Sequence, residues 1–190
     1  MRTDAVKNII CRDRGGDAYE IYSAYDNPSP IDLGEAARRM LNTVPPSFGA
    51  CVMISAGLVA ALNVHYSIPA VAILGDLKID GVDVFKCKGN IPVPSYDGEI
   101  VTGQWDGHCW VEVGGVICDL SIFRSAYATT KPSLLKQFVL NNFGEGKGAL
   151  LSRYEDLPSG IDFIPRYALV DSQLRAILEG LSHQAEVTGK

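Results

Sequence analysis

Residues 51–62, Cys51-Val52-Met53-Ile54-Ser55-Ala56-Gly57-Leu58-Val59-Ala60-Ala61-Leu62, carry no charge and present no polar face. A helix that is apolar on all sides belongs in the interior of a domain, so the rest of the chain must wrap around it. Pro45-Pro46 forbids a helix in front, Ser47 to Ala50 turns the chain, and Asn63 is a suitable left-handed stop, which predicts a central helix over residues 50–63. This helix opens with a cysteine. In the first turn a thiol meets unsatisfied N–H groups and the positive end of the helix dipole, which favour the nucleophilic thiolate. Such a nucleophile requires a histidine, and an acceptor to orient it, brought from elsewhere in the chain.

Both are supplied by one hairpin. His108-Cys109-Trp110-Val111-Glu112-Val113 and Val116-Ile117-Cys118-Asp119-Leu120 read as strands joined by the two-residue turn Gly114-Gly115. With the glycines as the loop, Val113 faces Val116, Glu112 faces Ile117, Val111 faces Cys118, Trp110 faces Asp119 and His108 faces Ser121. Alternate residues share a face, so His108, Trp110, Asp119 and Ser121 lie together, with imidazole and carboxylate as diagonal neighbours. A slip of one residue would send them to opposite faces. Cys51, His108 and Asp119 are therefore the candidate catalytic residues, with Ser121 able to share the orienting role. Trp110 and Glu112 read as structural, and His65 and His183 as ordinary surface or interface residues.

Around this centre, helices are predicted over residues 4–11, 30–42 and 132–143 and from Asp171 onward. Strands are predicted over 68–74, 82–87, 149–154 and 162–169, residues 17–25 fit either state, and Gly75-Asp76 and Asp80-Gly81 read as turns. The fold class is α+β, with residues 1–190 as one domain, long enough to bury roughly 70% of its unfolded surface. A net charge of −5, with no basic cluster beyond Arg38-Arg39, excludes nucleic acid and anionic membrane as partners. Five cysteines, an odd number without disulfide-framework spacing, point to free thiols in a reducing compartment. No signal-like or bilayer-length apolar segment is present, so a soluble, cytoplasmic protein is expected. Cys109 and Cys118 are diagonal on the face opposite His108 and Cys87 ends a strand, but no Cys-x-x-Cys or His-x-x-x-His pair accompanies them. No metal and no cofactor are expected.

Phe48-Gly49-Ala50-Cys51 ahead of a buried helix, then His108-x-Trp110-x-Glu112, then Asp119 on the next strand, resemble in type and order the transglutaminase-like superfamily of papain-like cysteine enzymes. The resemblance spans about residues 47–121. It implies a core in which the helix bearing the cysteine packs against an antiparallel sheet bearing histidine and aspartate, with flanking helices. It also implies that Cys51 attacks an amide or ester carbonyl, that His108 takes the thiol proton and later protonates the leaving group, and that Asp119 holds the imidazole. The resulting thioester passes to water in a peptidase or amidase and to an amine in an acyl transferase such as a transglutaminase, the substrate being a peptide, a protein or a small amide. Ala50 and Val52 stand where many members have Gln and Trp, and Val44, Pro45 and Pro46 offer no side-chain donor to an oxyanion. A binding domain that has kept the fold without the activity is thus the alternative. The backbone N–H of Cys51 is one oxyanion donor, and Asn42, Ser47, Gln104 and Trp105 are candidates for a second.

Overall fold

The strands pair only with antiparallel neighbours, and the helices come in blocks before and after them. The structure, a computed structural model, describes residues 2–44, 50–96, 98–99 and 105–188. Among these, α1 (Arg2–Arg14), α2 (Gly16–Ser23), α3 (Pro30–Thr43) and α4 (Cys51–His65) precede β1 (Val71–Ile79), β2 (Val82–Phe85), β3 (His108–Val113) and β4 (Val116–Asp119). Two further helices, α5 (Ile122–Ala128) and α6 (Leu134–Phe143), lead to β5 (Leu150–Arg153), β6 (Ile161–Ala168) and α7 (Asp171–Thr188). The described chain is thus α+β, with seven α-helices and a six-stranded antiparallel sheet.

Local chemistry accounts for most of these boundaries. Ser29 accepts a hydrogen bond from the Asp32 N–H and Pro30 occupies the first turn, so α3 starts as its sequence dictates. Its inward stripe is Leu33, Ala36 and Ala37, whereas Ile31, expected on that stripe, is 79% exposed at the start of the helix. The Ser133 hydroxyl caps α6 in the same manner, and Gly144, at φ 78°, ends it. Gly114 and Gly115 both have positive φ, 50° and 78°, as the tight turn between β3 and β4 requires. Of residues 17–25, Asp17 to Ser23 lie in the short helix α2, which ends at the cap residue Ala24.

The sheet is sandwiched between two helical layers. Ile73, Trp110, Ile117 and Phe163 face Val6 and Ile10 of α1, Phe123 of α5 and Phe138 of α6. Ala72, Leu74, Cys109, Val111 and Cys118 face Leu33 of α3, Leu58 and Leu62 of α4 and Leu174 of α7. Helix α4, buried along Ile54 to Val59, lies over β3, as an all-apolar helix demands.

Strand β1 differs most from expectation, because it runs straight through the predicted Gly75-Asp76 turn. Asp76 is fully buried yet matched: its carboxylate accepts from Arg166 Nη2 at 2.6 Å and from the Cys87 N–H at 2.8 Å, with Lys86 Nζ at 3.4 Å. A buried charge so partnered is tolerated inside a sheet. Gly75 is required by close approach. A Cβ there would stand 2.1 Å from the Ile164 carbonyl oxygen and 2.6 Å from the Trp110 ring.

β1 has three partners and only two edges. β6 covers it from Ile73 to Ile79, β3 pairs with Val71 to Gly75, and β2 pairs with Leu77 to Ile79. β2 and β3 therefore lie end to end along one edge, and the described residues between them, 86–96, 98–99 and 105–107, lie outside the sheet. His108 is the first residue of β3, at this opening. Gly75→Ala should destabilise the fold by about 1–3 kcal/mol, the cost of overpacking at a site walled by backbone and indole. Urea unfolding measures it, and an unchanged midpoint would show that Trp110 and β6 can give way.

Candidate active site

The hairpin pairs as its alternation dictates: Val111 opposite Cys118, Glu112 opposite Ile117 and Val113 opposite Val116. His108 and Asp119 consequently share a face, and His108 Nε2 lies 2.5 Å from Asp119 Oδ2 with both residues buried. The other carboxylate oxygen, Oδ1, accepts from the Ser121 N–H at 2.8 Å, the Ser121 hydroxyl at 2.9 Å and the Ile122 N–H at 3.0 Å. Ser121 therefore orients the carboxylate rather than the imidazole, and the same oxygen anchors the start of α5. Burial by itself would push the Asp119 carboxyl up, but the His108 ring and the Ser121 donors together hold it below the usual carboxylate value. An ionised Asp119 accepts a hydrogen bond from Nε2–H, which leaves the lone pair of the neutral ring on Nδ1.

The ring is clamped on its faces as well as at its edge. Phe85, the last residue of β2, stacks on His108 with centroids 5.1 Å apart and planes 14° from parallel. Trp110 lies at 6.2 Å and Phe163 at 6.0 Å. The end-to-end placement of β2 and β3 makes this stack, since it brings Phe85 to the first residue of β3.

Cys51 reaches the site from the other layer, at the head of α4. It is half-buried and, with His108, lines a cavity of about 400 Å³ whose walls include Phe85, Trp105, Gly107 and Ser125. Among the described residues no hydrogen bond joins the Cys51 sulfur to the imidazole. The cap residue Ala50 brings no side-chain acceptor to the first turn of α4, so N–H groups there stay available to the site. Burial pushes the Cys51 thiol up. Backbone N–H groups of Cys109, Val52 and Cys51 itself pull it down and the Asp119 charge opposes them, for a net value of about 11. The expectation of a thiolate from helix position alone does not hold here: desolvation outweighs what one helix terminus supplies.

The remaining candidates fall in separate places. Trp105 Nε1 donates to the Gly89 carbonyl at 2.8 Å, so this N–H is engaged elsewhere, and Asn42 is exposed on α3. Ser47 and Gln104 lie outside the described residues, as do residues 47–49 of the turn expected over Ser47 to Ala50. His65 is exposed in the last turn of α4, and nothing is described of the His183 side chain. All five cysteines are free, and the buried Cys109 and Cys118 thiols are pushed up by burial. No group of three or more His, Cys, Asp or Glu among the described residues is placed to hold a metal ion, and no described helix is long and apolar enough to cross a membrane. Phe85, Lys86, Lys88, Asp106, Gly107 and Ser125 line the cavity without having been marked by any motif. The signal available for some of them was position, since 105–107 directly precede His108.

Trp110 and Glu112 support the strand. Trp110 Nε1 and the Tyr154 hydroxyl both donate to Glu112 Oε1, at 3.0 and 2.5 Å, while Oε2 has no partner among the described residues. Burial pushes the Glu112 carboxyl from its ordinary 4.5 up to about 7, against the pull of Tyr154 and Trp110. Between these values the folded protein holds a proton that the unfolded chain has released, so stability falls as pH rises across that window. The loss should total about 3 kcal/mol and should vanish in Glu112→Gln. Urea unfolding at pH 4.5 and 7.5 measures it, and equal slopes in the two proteins would refute the assignment.

No family model matches the chain, and neither a curated protein nor a solved structure does.

Proposed function

We propose that this protein is a cysteine-dependent hydrolase of transglutaminase-like, papain-like architecture, cleaving an amide or peptide bond through Cys51, His108 and Asp119. The supporting observation is the buried His108–Asp119 pair at 2.5 Å, with Cys51 at a helix N-terminus on the same cavity. An imidazole held by a carboxylate at one nitrogen, clamped between aromatic rings and open to a thiol-bearing cavity is the arrangement general-base catalysis requires.

In this reading the thiol is neutral at rest, since burial lifts it to about 11. His108 Nδ1 removes its proton as sulfur bonds to the carbonyl carbon, and the ring becomes imidazolium beside Asp119. The oxyanion formed faces the uncapped first turn of α4, where the Cys51 N–H is the nearest backbone donor. Collapse breaks the C–N bond, and the Nδ1 proton passes to the departing amine. Water, deprotonated by Nδ1, then attacks the thioester, and the released Cys51 sulfur recovers a proton. An amine acceptor in place of water makes the same residues an acyl transferase. A second reading, a binding domain that keeps the fold without the chemistry, is favoured by the raised thiol and by the lack of a Cys51–His108 hydrogen bond.

p-Nitrophenyl acetate separates them. The enzyme should release p-nitrophenol and carry an acetyl group on Cys51 by mass spectrometry, with none on Cys51→Ala. His108→Ala should acylate about 10²–10⁴ times more slowly, and Asp119→Asn should lose about 10⁴-fold through the wrong tautomer. Adding a primary amine distinguishes hydrolysis from transfer by the product formed. Absence of an adduct on Cys51 in the folded wild-type protein would decide for the binding domain.

A further inference from the structure

Lys86 and Lys88 line the cavity that contains Cys51 and His108, where Asp106 brings the one carboxylate among the described lining residues. A cationic cavity is unexpected in a chain of net charge −5. Lys88 is paired with Asp106 at 2.5 Å. Lys86 is held more loosely. Its Nζ lies 3.4 Å from Asp76 and 3.4 Å from Asp83, and each carboxylate has another cation nearer, Arg166 at 2.6 Å from Asp76 and Lys78 at 3.2 Å from Asp83. The ammonium of Lys86, half-exposed, thus has attraction left for a further anion. It also follows Phe85, whose ring stacks on His108, so its backbone is fixed beside the proposed base. Phe85 and Trp105 furnish apolar wall, and charge facing a low-dielectric cleft acts more strongly than charge on an open surface.

We infer that the cavity selects an acyl donor carrying a negative charge on its acyl chain, with Lys86 and Lys88 as the recognition residues. The inference rests on Cys51 and His108 being the reacting pair. A neutral acyl donor reaches the same sulfur but leaves the residual attraction of the Lys86 ammonium unused. An anionic one is drawn in, and its preference weakens as salt screens the lysines.

Two esters of equal chain length test this: p-nitrophenyl hexanoate, which is neutral, and the p-nitrophenyl half-ester of adipic acid, which is anionic. The ratio of kcat/KM for half-ester over hexanoate should fall at least about fivefold in Lys86→Met/Lys88→Met, the effect of losing even one of the two unit charges at about 4 Å in water. It should be retained in Lys86→Arg/Lys88→Arg and should decline in the wild type as salt is raised. A second measurement needs no variant to fold. The chain has two tryptophans, of which Trp110 is fully buried and Trp105 lines the cavity, so collisional quenching of fluorescence reports on the cavity. At constant ionic strength, the ratio of iodide to caesium quenching constants should exceed the ratio measured for N-acetyltryptophanamide, a neutral free indole. Cys51 adducts from both esters with an unchanged ratio in the methionine variant, or an iodide-to-caesium quenching ratio no higher than that of N-acetyltryptophanamide, would overturn the inference alone. No adduct from either ester would overturn the proposed enzyme, and the acyl-donor inference with it.

Discussion

A strand has two edges, and β1 must serve three partners. The antiparallel sheet meets this demand by letting β2 and β3 share one edge in succession. At the changeover the described residues between them, 86–96, 98–99 and 105–107, have no place in the ladder and lie outside the sheet. Three consequences follow from that one constraint. The first residue of β3, His108, stands at an opening; the last residue of β2, Phe85, is delivered against its ring; and the departing segment supplies the cavity residues Lys86, Lys88, Trp105, Asp106 and Gly107. Gly75 opposite His108 permits the arrangement, because any Cβ there would displace Trp110 or β6.

Three acids are fully buried in or beside this sheet, and their partners, not their burial, decide their charge. Asp76 has Arg166, Lys86 and the Cys87 N–H, and Asp119 has the His108 ring and the Ser121 donors, so both are held below the usual carboxylate value although burial pushes each of them up. Glu112 has only the neutral donors Trp110 and Tyr154 on one of its oxygens, and desolvation carries it up to about 7. Neutral hydrogen bonds offset only part of the cost of burying a charge, whereas an ionic partner offsets more. His108 and Glu112 lie on the same face of β3, so this strand places an ionised acid's partner and an acid near neutrality four residues apart.

What could be read from the sequence was whatever is fixed by short-range geometry. Two glycines set the turn, the turn set the register, and a period of two then placed His108 beside Asp119 without knowledge of any other strand. The all-apolar run likewise could only be a central helix. Gly75-Asp76 was misread because its residue types favour turns, whereas its partner Arg166 lies 90 residues away. Helix α5 has seven residues, too short for periodicity to reveal, and its start depends on the Asp119 side chain. Phe85 and the two lysines became site residues only through the edge shared by β2 and β3, which no local pattern encodes.

The ionisation of Cys51 shows how far a local argument can be carried. Its position at the head of α4 was a reason to expect thiolate, and the N–H groups that argument invokes do act in that direction. They are outweighed because the same helix is buried in the interior, and the burial that makes α4 central removes the water a thiolate needs. In the proposed reaction a nucleophile so placed stays neutral until a base accepts its proton at the moment of attack. The base must then be ready before the thiol is, and it is His108 that a buried carboxylate and an aromatic stack hold in place, while Cys51 has backbone donors. Reactivity in such a site would reside in the imidazole's preparation rather than in a pre-formed thiolate–imidazolium pair.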